Sequence, residues 1–145
     1  MIHLGDWYDS RQSVNLKVLN LGVEVAEEMS KIFKDGIYII AGNHDVWGKN
    51  SNEINSLKSI KWIPGVELYE EPETLVLGQK KFLMIPWRKD HESEEEILDS
   101  SSPHDYVCCH ADIRGLKFNR YVNVENGADL KKFPSHDRGR LVRTP

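Results

Sequence analysis

The stretch that decides the fold is Ile37-Tyr38-Ile39-Ile40-Ala41-Gly42-Asn43-His44-Asp45, an apolar run followed by a glycine and three polar residues. Five consecutive apolar residues, three of them isoleucine, predict a strand that is buried on both faces, as a parallel strand covered by helices is. The glycine and the polar residues end the strand and open a loop. The stretch therefore predicts an α/β protein that places polar groups at the carboxyl end of a strand.

Upstream of this strand, apolar residues recur at helical spacing, with charged residues around them. The apolar positions of the predicted helix are Leu16, Leu19, Val23, Ala26, Met29 and Phe33. Ser13 is the predicted N-cap, and Asp35-Gly36 is the predicted stop. Because Ile2-His3-Leu4 is typical of the end of another buried strand, the order strand, helix, strand predicts a right-handed βαβ unit.

Downstream, shorter elements follow, and Gly78-Gln79 is expected to turn two of them into a hairpin. The predicted elements are a short helix at 52–60, strands at 66–69, 74–77, 81–85 and 106–109, and a short helix near 128–133. A further helix at 92–98 is acidic, and we expect its carboxylates to form a solvated surface rather than a metal site. The expected organisation is one domain at 1–133 and a polar, poorly ordered tail at 134–145.

Composition excludes several classes of protein. The chain has 145 residues and a net charge of -4, so it is one domain without the basic face of a DNA-coating protein. A nuclease stays open, because acidic metal ligands lower the formal charge. No apolar run approaches the roughly 18 residues of a membrane span, and the start does not resemble a secretion signal, so a cytoplasmic location without membrane contact is expected. The adjacent Cys108 and Cys109 are expected to be structural thiols on opposite faces of a strand.

Three polar motifs each follow a predicted buried strand: Gly5-Asp6-Trp7-Tyr8-Asp9, Gly42-Asn43-His44-Asp45 and His110-Ala111-Asp112. The carboxyl ends of strands meet at one rim of an α/β sheet, so these motifs are expected to converge. Carboxylate, amide oxygen and imidazole suit manganese, iron or zinc, and the absence of thiolates argues against a structural zinc site. Each motif alone is an ordinary turn, but their joint occurrence favours a metal site.

These motifs resemble those of the calcineurin-like metallophosphoesterases. Gly5-Asp6-Trp7-Tyr8-Asp9 is similar to the family motif Gly-Asp-x-x-Asp, and Gly42-Asn43-His44-Asp45 to Gly-Asn-His-Asp/Glu. The resemblance implies a layered β sandwich flanked by helices, with two divalent metals that clamp a phosphodiester. It implies that Asp6 bridges both ions and that Asn43 and His110 bind the second.

The same resemblance assigns roles to the neighbouring side chains. It implies that His44 protonates the leaving oxygen or stabilises its charge, with Asp45 holding the orientation of the imidazole. Asp9 is expected to orient groups of the site without binding metal itself. Trp7 and Trp47, within or just after the metal motifs, either contact a nucleotide base or pack beneath the rim.

A narrower resemblance covers residues 42 to about 121 and points to the repair nucleases of the SbcD type, bacterial or phage. It rests on the order of the metal motif, Val66-Glu67-Leu68-Tyr69, Glu70-Glu71-Pro72, Ile85-Pro86-Trp87 and Cys109-His110. It implies a manganese-dependent DNA exonuclease or endonuclease that works with an SbcC-like ATPase. A second copy of the chain, forming a homodimer, is a further expected partner. The rival hypotheses are a phosphoesterase acting on nucleotides or phosphoproteins, and a non-catalytic module of the same fold.

Two family motifs differ in this chain. The Asp-x-His motif that precedes Gly-Asp-x-x-Asp in the family has no counterpart, and Gly-His-x-His is represented only by Ser135-His136-Asp137-Arg138. The expectation is therefore an incomplete fold that lacks the first strand and the last metal-motif strand, with His136 not a ligand. The second metal keeps Asp6, Asn43 and His110 and the first keeps only Asp6, so the chain alone is expected to bind one metal weakly and to catalyse poorly.

Overall fold

The computed structural model describes residues 1–48, 52–89, 91–100, 103–115, 124–125, 127–133 and 140–143. The strands are β1 Ile2–His3, β2 Ile37–Ile40, β3 Val66–Tyr69, β4 Glu73–Leu77, β5 Lys80–Ile85, β6 Tyr106–His110 and β7 Arg140–Arg143. The α-helices are α1 Leu16–Ile32 and α2 His91–Ser100, and short 3-10 helices lie at Ser56–Ser59 and Leu130–Lys132. No helix in these ranges combines the length and the apolarity that crossing a membrane requires.

The first sheet has the order β1-β2-β3, and its strands are all parallel. Ile39 lies between His3 and Leu68 in the register, so β2 is the central strand. One face packs against α1 and the first 3-10 helix around the buried residues Ala26, Ile37, Ile39, Ala41, Val46, Leu57 and Ile60. The predicted strand, helix, strand unit is confirmed, and β2 is buried on both faces as its composition requires.

The second sheet has the order β4-β5-β6-β7. β4 and β5 form the predicted antiparallel hairpin, whereas β5, β6 and β7 are parallel. The two sheets face each other across the buried residues Ile40, Tyr69, Leu75, Met84 and Cys108. The outer face packs against α2 and the second 3-10 helix around Leu83, Ile85, Val107, Cys109, Ile113 and Phe133. The layers run helix, sheet, sheet, helix, which confirms the predicted α/β sandwich.

The two cysteines lie on opposite faces of β6, as expected for neighbours on a strand. Cys108 belongs to the core between the sheets and Cys109 to the outer core under α2, and both are free thiols. Burial raises the pKa of Cys108 to about 12 and raises the pKa of Cys109 further. Neither thiol is therefore a reactive thiolate near neutral pH.

Helix α1 differs from its prediction at both ends. Its N-cap is Asn15 rather than Ser13, and the Asn15 side chain accepts a hydrogen bond of 2.9 Å from the backbone N–H of Lys17. Leu16 and Phe33, at the two ends of the predicted apolar stripe, are exposed. Only the middle of the stripe packs on the sheet, because a short three-stranded sheet covers only the central turns of the helix.

The segment at 52–60 contains only a 3-10 turn instead of the predicted helix. Polar side chains explain the irregular backbone, since Asn52 is buried and its amide donates to the carbonyl oxygens of Glu70 and Trp87. These bonds connect the loop after β2 with the ends of both sheets. Trp87 is itself buried.

Residues 140–143 form a strand, whereas the sequence analysis placed them in a poorly ordered tail. They pair in parallel with β6, with Cys108 opposite Leu141 and Cys109 opposite Val142. The edge of a strand presents N–H and C=O groups that a further strand can pair with. A segment with the apolar residues Leu141 and Val142 suits the position of a strand beside β6. The second sheet therefore extends past residue 133. His136 lies outside the described residues.

Helix α2 corrects the expectation that every acidic residue of this segment is solvated. Glu96 and Asp99 are exposed, but Glu94 is only 1% exposed. Glu94 shares a helix face with Ile97 and Leu98, three and four residues later, which pack on the outer core. The amphipathic face therefore carries Glu94 inward, a position that counting charges alone does not reveal.

Candidate metal centre

The loops that follow β1 and β2 are in direct backbone contact. Gly5 has a φ of +89°, and a Cβ placed on it would lie 2.6 Å from Gly42 Cα and 2.7 Å from His110 Nδ1. Asp6, the next residue, has a φ of +57°, which is uncommon for a residue with a side chain. Glycine at positions 5 and 42 lets the two loops approach closely, and the strained Asp6 is held at their contact.

A buried carboxylate ties these loops together. Asp45 Oδ2 accepts hydrogen bonds from Asp6 N at 2.7 Å and Gly42 N at 2.9 Å, and Oδ1 accepts one from Tyr8 N at 3.1 Å. Burial raises the pKa of Asp45 to about 6, while the three N–H donors act in the opposite direction. Near neutral pH the carboxylate is mostly ionised, and it fixes the backbone on which Asp6 stands.

The predicted pairing of Asp45 with His44 is wrong. The Asp45 carboxylate faces inward toward backbone N–H groups, whereas His44 lies at the partly exposed rim. His44 Nδ1 lies 3.4 Å from the carbonyl oxygen of Asp9 and 3.4 Å from Asp9 Oδ1. Neighbouring residues in a turn point in different directions, so Asp9 rather than Asp45 is the residue beside His44, and the orienting role of Asp9 stays a prediction.

The structure brings together Asp6, Asn43 and His110, which the sequence analysis named as metal ligands. His110 is fully buried, and its Nδ1 lies 2.7 Å from the carbonyl oxygen of Leu4. A carbonyl can only accept, so Nδ1 carries a proton and Nε2 faces the site. His110 Nε2 is 3.6 Å from Asp6 Oδ2, and Asp6 Oδ1 accepts from His44 N at 2.9 Å.

The side-chain amide of Asn43 stands between these ligands and Arg11. One end of the amide lies 2.9 Å from His110 Nε2 and 3.2 Å from Asp6 Oδ1, and the other end contacts Arg11 Nη2. Arg11 was not among the residues predicted from the sequence. The available signal was its charge, since it is the basic residue of the loop that carries Asp6.

These side chains fit a divalent cation. Ligand atoms about 2.1 Å from one ion lie about 3.0–3.4 Å apart. One end of the Asn43 amide lies 2.9 Å from His110 Nε2 and 3.2 Å from Asp6 Oδ1, and His110 Nε2 lies 3.6 Å from the other Asp6 oxygen, Oδ2. With the amide oxygen toward His110, acceptor atoms of three side chains lie near one another, an arrangement that a cation would satisfy. Within the described parts of the chain, no three histidine, cysteine, aspartate or glutamate side chains form a metal-binding group. Asp6 and His110 are only two side chains of these types, so the Asn43 oxygen would be the third ligand, and metal binding stays a prediction.

The tryptophans near the rim differ in exposure. Trp7 packs against the core between the first sheet and α1, and its ring meets that of His3 edge-on at 5.2 Å. Trp47 is 59% exposed, and its backbone N–H donates to the carbonyl oxygen of Ile54. Packing explains Trp7, whereas Trp47 remains available to a ligand.

The family of the protein follows from its sequence profile taken with this geometry. No curated protein sequence matches the chain. The profile of the calcineurin-like phosphoesterase family matches residues 1–142, which include all three strand-end motifs and both sheets except Arg143, the last residue of β7. The chain belongs to the calcineurin-like phosphoesterase family.

Proposed function

We propose that this protein is a manganese-dependent nuclease that hydrolyses phosphodiester bonds of DNA in recombination or repair. Membership of the family assigns metal-dependent phosphoester hydrolysis in general. The observation that carries the proposal is the convergence of Asp6, Asn43 and His110 at the rim of both sheets. Asp6 and Asn43 come from the first sheet and His110 from the second, so the site exists only where the sandwich is assembled.

The mechanism assigns separate tasks to these side chains. Asp6, Asn43 and His110 would hold the ion, and Leu4 holds His110 in the tautomer that presents Nε2. When bound, a divalent ion polarises the phosphoryl oxygens and neutralises the charge that builds on them. His44 is fixed next to the ligands by the bond from its backbone N–H to Asp6 Oδ1.

His44 suits the role of general acid. Its imidazole is partly exposed at the rim, where a substrate would lie, and the oxygens of Asp9 stand near Nδ1. An Nδ1 proton directed at Asp9 leaves Nε2 as the atom that gives a proton to the leaving oxygen. The imidazolium, which carries a proton on both ring nitrogens, would be the form that donates.

An exposed apolar pair beside the site supports a nucleic-acid substrate. Val46 forms an isolated antiparallel bridge with Asn55, so Trp47 stands opposite Ile54 on the outward face. Both are more than half exposed, and Trp47 is three residues from His44. An indole in this position can stack on a base of a bound strand, a contact that tolerates any sequence.

Turnover of defined substrates tests the proposal. We expect the protein with manganese to degrade end-labelled single- or double-stranded DNA. We expect His44→Ala to slow this reaction by about 10²–10⁴-fold with manganese affinity unchanged, because His44 transfers a proton and binds no metal. His104→Ala is the matched control, since His104 bonds to Thr74 on the second sheet.

Other outcomes would contradict the proposal in different ways. Turnover of a small phosphodiester but not of DNA would favour the nucleotide or phosphoprotein hypothesis. An equal loss of manganese affinity in His44→Ala would make His44 a ligand. The absence of both turnover and manganese binding would identify a non-catalytic member of the family.

Partners follow from the nuclease proposal. An SbcC-like ATPase subunit and a homodimer remain proposals, as does a cytoplasmic location. Helix α1 exposes Val18, Leu21, Val25 and Ile32. Sedimentation of the protein alone at rising concentration tests the homodimer, and a constant mass would argue against it.

A further inference from the structure

Arg11 occupies a position that the metal site alone does not explain. It lies five residues after Asp6 in the same loop, and its side chain reaches back to the amide of Asn43. The guanidinium contacts the end of the amide that faces away from His110. Guanidinium, amide and imidazole therefore stand in a row, with the amide shared between a basic residue and the metal ligands.

When no cation is bound, only one orientation of the Asn43 amide pairs every hydrogen-bond donor in this row with an acceptor. With the oxygen toward Arg11, the amide nitrogen donates to His110 Nε2 at 2.9 Å and to Asp6 Oδ1 at 3.2 Å, and the oxygen accepts from Arg11 Nη2. With the oxygen toward His110, two acceptors meet on one side, and on the other the amide nitrogen meets the guanidinium donor. The first orientation is therefore the metal-free one.

A bound cation reverses this preference. Asn43 can act as a ligand only if its oxygen points to the side of His110 and Asp6, since an amide nitrogen carries no available lone pair. Turning the amide over removes the acceptor of Arg11 and places a donor against its guanidinium. Arg11 must then leave the amide, and its charge becomes available at the rim of the site.

We propose that Arg11 is a positioning residue that holds the Asn43 oxygen away from the metal position until a cation binds, and that its released guanidinium then binds an anionic oxygen of the substrate phosphodiester. The inference rests on the proposed metal site and adds a residue to it. A guanidinium suits this task because its fork of donors matches two phosphate oxygens.

The two events are coupled through one hydrogen bond. Metal binding breaks the bond between Arg11 and Asn43, so this bond weakens metal affinity when no anion is present. A bound phosphodiester gives Arg11 a new acceptor and thereby strengthens metal binding. Because such coupling is reciprocal, the metal should strengthen binding of the anion by the same factor.

Calorimetry on the whole chain tests the coupling without any measurement of turnover. Manganese is titrated into the wild type and Arg11→Met, each with and without dimethyl phosphate as the anion. Methionine keeps an apolar stem but has no charge and no donor. We expect Arg11→Met to bind manganese alone about tenfold more tightly, because a charge-assisted hydrogen bond no longer competes for Asn43. Dimethyl phosphate should tighten manganese binding in the wild type and not in the variant.

Two further variants separate the explanations. Arg88→Met is the matched control, because Arg88 pairs with Glu71 and bonds to Ser93 outside this row. Arg11→Lys retains the charge and a donor, so it should keep the weak manganese affinity of the wild type. Thermal unfolding midpoints of all variants identify any loss of fold, and in that case the Arg11→Lys comparison decides.

The outcomes distinguish the inference from the function on which it rests. Unchanged or weaker manganese binding by Arg11→Met, while Asp6→Asn abolishes binding, would overturn the role of Arg11 and leave the metal site intact. If neither the wild type nor Arg11→Met binds manganese, both the role of Arg11 and the proposed metal site are overturned. A response of Arg88→Met equal to that of Arg11→Met would reduce the effect to net charge and would also overturn the role.

Discussion

Two regions of the molecule use carboxylates in different ways. One is the corner formed by the loops after β1 and β2, and the other is the acidic helix α2. In the corner, the single buried carboxylate of Asp45 accepts three backbone N–H bonds and fixes the position of Asp6. In α2, several acidic residues follow one another, and they include the exposed Glu96 and the buried Glu94. The predicted metal ligands converge at the corner, where strand ends meet, and not at the helix with more charge. Position relative to the sheet therefore matters more for a site than the number of acidic residues.

The largest effect is expected at the contact between the two loops. Gly5→Ala should lower the free energy of unfolding by about 3–5 kcal/mol, because the added Cβ would overlap Gly42 and His110 at a positive φ. Gly78→Ala is the matched control, with a φ of +61° and open space around its Cβ. It should cost only about 1 kcal/mol. Urea unfolding of both variants measures the difference, and equal losses would show that backbone strain rather than contact matters in the corner.

The next effect concerns the carboxylate itself. Asp45→Asn should lower the free energy of unfolding by about 2–4 kcal/mol at pH 7, since an amide presents one oxygen to three backbone donors. Manganese affinity should also fall, because Asp6 loses its fixed backbone. Asp35→Asn, at an exposed turn, is the control. A stable variant with undiminished manganese affinity would contradict the structural role of Asp45.

A smaller effect should separate two residues of α2. Glu94→Ala should cost about 1–3 kcal/mol because it removes a buried side chain that packs within the helix face on the outer core. Glu96→Ala, on the exposed face, should change stability by no more than about 0.5 kcal/mol. Neither should alter manganese affinity in calorimetry. A loss of affinity in either variant would place a metal site on the helix and break the comparison.

The smallest effect belongs to a partly exposed carboxylate outside both regions. Lys80 bonds to Asp105 at 2.8 Å and lowers the pKa of Asp105 from its ordinary value of 3.8. The folded state therefore releases this proton more readily than the unfolded state, and the pair stabilises the protein above pH 3.8. This contribution disappears as the pH falls through the lowered pKa. Asp105→Asn should be slightly less stable than the wild type at pH 7 and equal to it near pH 2, as measured by urea midpoints. A difference that grows toward low pH would reverse the sign of the argument.

The sequence predicted the elements whose signal is local. The apolar run of β2, the helical spacing in α1 and the hairpin turn at Gly78-Gln79 all appear in the structure. These patterns succeed because the repeat of a strand or a helix is a property of the backbone over neighbouring residues. The prediction was wrong where side chains interrupted the repeat, as Asn52 does in the segment expected to be helical.

The candidate site was predictable to the same extent. Strand-end placement predicted that the three polar motifs meet at one rim, and the resemblance to the family singled out Asp6, Asn43 and His110 among their residues. The partners of these residues were not predictable. Asp45 was assigned to His44, yet it bonds to backbone N–H groups of another loop. Contacts between loops depend on loop conformation, for which neither the spacing nor the composition of the motifs provides a signal.

The sequence by itself determined the α/β class, the order of the strands along the chain and the residues that stand at their ends. Only the tertiary structure decided that Leu4 orients His110, that Arg11 reaches the amide of Asn43, and that Glu94 is buried. Leu4 and His110 are separated by 106 positions along the chain. Periodicity reports on residues within a few turns of each other, whereas these contacts arise when two sheets pack face to face. The candidate site therefore depends on both, since strand ends supply the predicted ligands and packing between the sheets sets the tautomer of His110 and the partners of Asn43.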